Sequence, residues 1–224
     1  MMPRLKMLFL ILAVAVFAGM LSFWLLPTES VREETGTTEV NVPPAAPPVA
    51  LAPTASLSFA SNGDGTCTVV GLGASSASVL VIPMHSSVGD RVTAIASRAF
   101  FGCESIQAIH IPESVEFIGT LAFGACPNLA FVSVSAQNPS FTALDGVLYS
   151  KDLSTLYLYP PMHGARTLRL SRKTLSISEM AFYRAAYLQS LTYEGSAEDW
   201  ERISIAPKNY ALNALAKVFE GDRG

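Results

Sequence analysis

"VTAIASRAFFGCESIQAIHIPES" (Val92–Ser114) runs directly into "VEFIGTLAFGACPNLAFVSVSAQ" (Val115–Gln137). Stacked at a shift of 23 residues (115 − 92), the two blocks match at eight apolar positions. These are Val92/Val115, Ile95/Ile118, Ala99/Ala122, Phe100/Phe123, Cys103/Cys126, Ile106/Leu129, Ile109/Val132 and Ile111/Val134. A third copy, "TLSISEMAFYRAAYLQSLTYEGS", begins at Thr174, 174 − 115 = 59 residues after the second. It places Ile177, Ala181, Phe182, Ala185, Leu188, Leu191 and Tyr193 on the same positions. A period of 20–29 residues belongs to solenoids, in which each coil needs neighbours to bury its apolar edge.

The spacing inside one copy predicts how a coil is built. Ile109-x-Ile111 alternates with period two, as a strand with one buried face does. Pro112 ends that strand because it has no N–H for a ladder hydrogen bond. "SRAFFGC" shows no strand alternation and is too short for a long helix, so Ala99 and Phe100 are expected on one helical or 3₁₀ turn. Each copy is then one strand, one loop and one helical turn. Equivalent positions stack about 4.8 Å apart, so Phe100, Phe123 and Phe182 form an internal aromatic column beside Cys103, Cys126 and Ala185.

Ala99-Phe100-Phe101-Gly102-Cys103 followed by Ile109-His110-Ile111-Pro112 resembles the BspA-like leucine-rich repeats, whose pattern is close to VTxIGxxAFxGCxSLxxIxIPxS. The resemblance covers roughly residues 57–219. It implies a solenoid displayed on a cell surface and used for adhesion or protein contact rather than catalysis. The expected fold is mainly β with short helical turns: a leucine-rich-repeat-type right-handed solenoid with an inserted β-hairpin, preceded by one transmembrane helix.

Other segments fit that plan. Asn62-Gly63-Asp64-Gly65 is a strong turn signal for a capping hairpin, and Val79–Pro83 supplies the strand of a partial leading coil, giving a unit over 57–91. Two repeats fill 92–135. The 36-residue excess between copies two and three (59 − 23) is read as a hairpin turning at Asp145-Gly146, followed by the strand Thr167–Ser171, over 136–171. The third repeat spans 172–195. Ser196 with Asp199 three residues on reads as an N-cap for a short helix carrying Trp200, and 196–224 as a C-terminal cap.

Ahead of the repeats the chain changes character twice. Met7–Leu26 is twenty residues without a charge, about 30 Å of helix and enough to cross a bilayer. Arg4 and Lys6 before it and Glu29, Glu33 and Glu34 after it place the amino terminus in the cytoplasm and the repeats outside. The alternative is a secretory signal cleaved after Val16-Phe17-Ala18. Residues 27–56 hold six prolines and no aromatic residue, a composition that buries too little surface to fold. They read as an extended stalk, leaving 1–26 as cytoplasmic tip and signal-anchor and 57–224 as the repeat domain.

Of 224 residues, 50% are apolar and 15% charged, and the net charge is −3. That balance provides no basic footprint for nucleic acid. Three cysteines are too few for a disulfide framework. Cys103 and Cys126 hold one position in adjacent coils, within reach of a disulfide, but as ladder residues they are expected to be buried free thiols; Cys67, in another segment, reads as a buried strand residue. His85, His110 and His163 have no second ligand at metal-like spacing. Asp64, Asp145 and Asp152 belong to turns, and Gly71-Leu72-Gly73 lacks the third glycine of a nucleotide fingerprint. No catalytic, cofactor or metal set is expected.

The candidate functional surface is the outward side of the strand ladder. With Ile109 and Ile111 pointing in, Ala108 and His110 point out. The corresponding residues are Val79 and Val81, Phe131 and Ser133, Thr167 and Arg169, and Ser190 and Thr192. Read as one continuous face, Val81, Ala108, His110, Phe131, Ser133, Arg169, Ser190 and Thr192 form the expected binding residues, with Phe131 and Arg169 as anchors. The expected partner is a protein or a surface glycan; a structural envelope component docking to a membrane partner is the alternative, and an extracytoplasmic enzyme ranks behind both.

Overall fold

The computed structural model describes residues 52–222. The anchor expected at 7–26, and the stalk as far as residue 51, lie outside the described residues. Among the described residues no helix is long and apolar enough to cross a membrane.

The chain opens with an antiparallel hairpin, β1 (Ser58–Ser61) and β2 (Thr66–Gly71), closed by Asn62-Gly63-Asp64-Gly65. Asp64 Oδ1 accepts from the Thr66 N–H and hydroxyl, fixing the turn. From β2 onward the described chain winds through six coils, and each contributes two strands to parallel ladders. One ladder runs β2, β4 (Arg91–Ile95), β6 (Phe117–Ile118), and beside it runs β3 (Val79–Val81), β5 (Ala108–Ile111), β7 (Phe131–Val134). After a hairpin, β8 (Phe141–Leu144) and β9 (Val147–Ser150), the pattern resumes. β10 (Thr155–Leu158), β12 (Ser176–Ile177) and β14 (Ser204–Ile205) form one side. β11 (Thr167–Leu170), β13 (Ser190–Tyr193) and β15 (Ala216–Phe219) form the other.

In-register pairing explains the spacing of the repeat. Leu80, Ile109 and Val132 sit opposite one another in the first ladder, as do Val81, His110 and Ser133. The inward members Leu80, Ile109 and Val132 are fully buried. Phe100 and Phe123 stack with ring centroids 5.5 Å apart and planes within 5°. Such pairs add about 0.5–1.5 kcal/mol beyond the burial of their area.

The turn carrying each phenylalanine is not helical. Ala99, Phe101 and Cys103 donate back to Ala96, Arg98 and Phe100 in their own coil, while Arg98, Phe100 and Gly102 donate across to Thr120, Ala122 and Gly124 in the next. Alternate N–H groups thus serve alternate coils. The alternation requires left-handed backbone at two repeat positions: Arg98, Leu121 and Met180 at φ 56–60°, then Gly102, Ala125 and Arg184 at φ 50–72°. A helix would aim every N–H along its own axis, which is why the expected helical turn does not form.

Coils four and six depart from the sequence expectation. Tyr159 lies 159 − 123 = 36 residues after Phe123 and 182 − 159 = 23 before Phe182. It stacks on Phe182 at 5.5 Å, and its N–H donates to Ala181 O at 2.8 Å. Phe100 N–H donates to Ala122 O in the same manner, so Tyr159 occupies the phenylalanine position of a fourth coil. The 36-residue excess is therefore one full coil of 23 plus a 13-residue hairpin. At the C-terminus, the expected cap helix exists as α1 (Ala197–Glu201), with Ser196 and Asp199 forming a reciprocal capping box. Beyond it the chain forms a sixth coil, with a short α2 (Ala211–Ala214) between β14 and β15.

Residues 52–56, expected to end the stalk, instead cover the first edge. Thr54 N–H donates to Val81 O (2.9 Å), and its Oγ1 accepts from Val81 N–H (2.8 Å).

Asn138, 1% exposed, launches the inserted hairpin. Its amide donates to Pro112 O and Val115 O, and its Oδ1 accepts from Ser140 N–H and Phe141 N–H, all within 2.7–2.9 Å. The hairpin turns at Asp145-Gly146, both at positive φ (48° and 82°), as a two-residue type I′ loop requires.

Candidate functional site

The outward residues of the ladders are brought together in part. On the first ladder His110 and Ser133 are half-buried neighbours. His110 Nδ1–H donates to Ser133 Oγ at 2.9 Å, and the Ser133 hydroxyl donates to Ile109 O at 3.2 Å. Burial holds the His110 imidazole below its ordinary pKa, with Glu113 opposing. Val81 and Ala108, expected to face solvent, are buried at 6% and 7% exposure. Thr54 lies against Val81 on the edge strand β3, and Ala108 sits on the central strand β5 of the same sheet. Phe131 is half-buried. A Cβ added to Gly146 would come within 2.6 Å of its ring, so the hairpin turn rests directly on it.

The second ladder is more open. Thr167 is exposed, Ser190 and Thr192 are half-exposed, and the hydroxyls of Thr167 and Ser190 are 2.9 Å apart. Arg169, expected as a free anchor, is held as a staple across coils. Its guanidinium takes both carboxylate oxygens of Glu220 at 2.7 Å and Glu194 Oε1 at 3.0 Å.

The face is not continuous. β7 ends one three-stranded sheet and β11 begins another. Between them stands the hairpin: Gly146 O accepts from Val132 N–H at 3.0 Å. Beside β11 this leaves a groove of about 540 Å³, walled by the hairpin on one side and by Thr167 and Arg169 on the other. His163 lies at its margin, donating from Nε2 to Asp145 O at 2.5 Å; its Nδ1 accepts from Ala165 N–H. Tyr159 donates its hydroxyl to Ala165 O at 3.1 Å. Burial raises the phenol pKa of both Tyr149 and Tyr159, the latter to about 12. Both remain neutral hydrogen-bonding groups.

Neither Tyr149 nor the edge of β11 stood out as a site in the sequence. The one signal was Asp145-Gly146, which reads only as a turn.

Cys67, Cys103 and Cys126 are free thiols. Cys126 Sγ donates to Phe100 O at 3.1 Å, and burial pushes its pKa up to about 12. These are packing groups.

The expected single column of Phe100, Phe123 and Phe182 is two stacked pairs, Phe100 on Phe123 and Tyr159 on Phe182, one in each core. Stacked coils with two parallel strands each, internal aromatic pairs and a solvent-facing ladder define a leucine-rich-repeat solenoid. The family model for the BspA type leucine rich repeat region matches residues 84–201, more than half of the chain, in six copies. The chain belongs to that family. No curated protein sequence matches it. Among solved structures it is similar to the pneumococcal vaccine antigen PcpA, at 28% identity and a TM-score of 0.46, over 49% of this chain and 27% of that one. It is also similar to a leucine rich cell surface protein of Faecalibacterium prausnitzii (25% identity, TM-score 0.43, 63% of this chain and 37% of that one). A leucine rich repeat protein of T. pallidum is a third (19%, 0.41, 77% and 65%). The chain thus matches between about a quarter and two-thirds of the length of these structures.

Proposed function

We propose that the chain is a surface-displayed, non-catalytic interaction module that binds a protein or a surface glycan through the outward side of its strand ladders. The observation that carries this reading is the second ladder. Thr167 and Ser190, 190 − 167 = 23 residues apart in sequence, become adjacent hydroxyls on an open parallel sheet beside a groove, with Thr192 two residues further along the same strand as Ser190. Small hydroxyl side chains on a rigid sheet leave the surface accessible and supply hydrogen-bonding groups without a large entropic cost. Membership of the repeat family supports the same role. The uncharged run 7–26, followed by the proline-rich segment, would tether the module to a membrane and hold it away from the surface.

The test is affinity capture with the full chain in detergent, comparing the native sequence with a variant carrying Thr167→Glu, Ser190→Glu and Thr192→Glu. A partner captured by the first and lost from the second supports the reading. Equal capture by both removes the ladder from the interface. A single membrane protein captured in a fixed ratio, insensitive to the variant, would favour an envelope component instead.

A further inference from the structure

β11 is an edge strand although it lies in the middle of the stack, since its one partner strand is β13. Gln189 and Ser190 donate to Arg166 O, and Glu194 donates to Leu170 O. Residues 166, 168 and 170 therefore turn their main-chain groups toward β13. In a parallel strand alternate residues address opposite neighbours, so the N–H and C=O of Thr167 and Arg169 point the other way, into the groove. They have no main-chain partner among the described residues.

The inserted hairpin accounts for the free edge: its turn takes the Val132 N–H of β7 through Gly146 O at 3.0 Å. The path from first strand to second is also short in coil four, 167 − 155 = 12 residues against 131 − 117 = 14 in coil three and 190 − 176 = 14 in coil five. Coil six is equally short, 216 − 204 = 12, and its β15 still pairs with β13, so length alone does not free an edge.

Two side chains add to the unpaired edge. Tyr149 is 3% exposed, lines the groove, and its hydroxyl has no hydrogen-bond partner among the described residues. Asp145 is exposed at the mouth, its carboxylate likewise without a partner among the described residues. The nearby cation, Arg169, is already matched by Glu194 and Glu220. The groove therefore carries surplus negative charge, a phenol hydroxyl open to a ligand, and apolar walls from Leu144 and Val147.

We infer that this groove receives an extended peptide segment bearing a lysine or arginine, which adds as a strand to the free edge of β11 and places its basic side chain at Asp145. The inference rests on the interaction-module reading and names the partner's chemistry. Main-chain pairing to Thr167 and Arg169 supplies affinity; Asp145 and the Tyr149 hydroxyl select the side chain, as in other strand-addition sites. The surplus carboxylate disfavours an acidic segment, and the apolar walls suit β-branched residues on alternate positions.

The experiment selects binders to the full chain in detergent from a phage-displayed random heptapeptide library. The best sequence is then made as a fluorescein-labelled peptide and titrated. Enriched peptides are expected to alternate β-branched residues with one lysine or arginine. Thr167→Pro removes an N–H that makes no internal bond, on an edge where proline is tolerated, and is expected to weaken binding at least tenfold. Asp145→Asn keeps the positive-φ turn and is expected to weaken it three- to tenfold. N-methylation of alternate peptide amides, tested on the native chain, should abolish binding even if Thr167→Pro perturbs folding. Peptide should also slow hydrogen exchange at Thr167 and Arg169. Enrichment of acidic peptides, no enrichment, or binding indifferent to Thr167→Pro and to N-methylation overturns the inference. A whole partner whose capture depends on the Ser190 and Thr192 hydroxyls but not on Thr167→Pro would leave the broader reading standing while this one falls.

Discussion

Asn209 and Phe182 are joined by a hydrogen bond that elsewhere in the fold is made by backbone alone: Phe182 N–H donates to Asn209 Oδ1 at 3.0 Å. In coil two the equivalent donor, Phe100 N–H, meets the carbonyl of Ala122. The side chain stands in for a carbonyl of the last coil. Its amide group, donating to Ser178 O (2.9 Å) and Ala206 O (2.8 Å), anchors it there.

Asn209→Leu leaves the Phe182 N–H and the Ala206 carbonyl near the core without partners, while Ser178 O keeps the Ala181 N–H. Unsatisfied groups of this kind cost about 1–3 kcal/mol each when buried. With Asn209 at 7% exposure, a loss of about 2–4 kcal/mol is expected in equilibrium urea unfolding. A loss below about 1 kcal/mol would show that water replaces the amide readily.

Two glycines separate conformational from steric cost. Gly102 sits at φ 72° and a Cβ there meets nothing within 4 Å, so Gly102→Ala should cost about 1 kcal/mol, the penalty for an L-residue in left-handed backbone. Gly119 has no such φ, but its Cβ would come within 2.3 Å of Ser97 N in the preceding coil. Gly119→Ala should cost about 1–3 kcal/mol by overpacking, and more than Gly102→Ala when the two melts are compared.

Cys126 predicts a pH dependence of stability. Its thiol, ordinarily near 9.0, is pushed by burial up to about 12 in the folded state. The folded chain therefore holds this proton more tightly than the unfolded chain. The associated stability is complete below pH 9 and is lost as pH rises from 9 toward about 12. Cys126→Ala should flatten that part of the stability–pH curve. At pH 8 Cys126 should also resist iodoacetamide until urea unfolds the chain.

Removing residues 203–224 strips Ile203, Leu212 and Leu215 from the second core and uncovers the edges of β12 and β13. Bare parallel edges are templates for association, so the truncated chain should form soluble aggregates by light scattering. A monomer that melts cooperatively would mean the sixth coil is dispensable.

How much of this was legible can be traced to particular residues. Coils two, three and five carry Ala-Phe and apolar strand positions at a fixed period, and their stacking was readable. Coil four replaces the phenylalanine by Tyr159, follows it with Pro160-Pro161, and is two residues short between strands, so only its strand Thr167–Ser171 was matched. Coil six has Asn209 performing by side chain what a backbone carbonyl does elsewhere, which leaves no aromatic to align. The strands β6, β12 and β14 are two residues long, too short to show alternation. The left-handed positions are filled by Arg98, Leu121 and Met180 rather than glycine, so composition did not mark them. The outward strand positions were assigned to the ladders by period alone, but period does not report what lies over a strand. Thr54 and the hairpin turn do that, and they buried Val81 and covered Phe131.

The strand β9 gives the stack an unusual property. Leu148 belongs to the core of the first three coils, while its neighbours Val147 and Tyr149 belong to the core of the last three. Repeat arrays ordinarily fray from an end, each winding detaching nearly independently of distant ones. Here one four-residue ribbon is shared by both halves, so losing either half strips apolar cover from the other. The array should denature as a single all-or-none event.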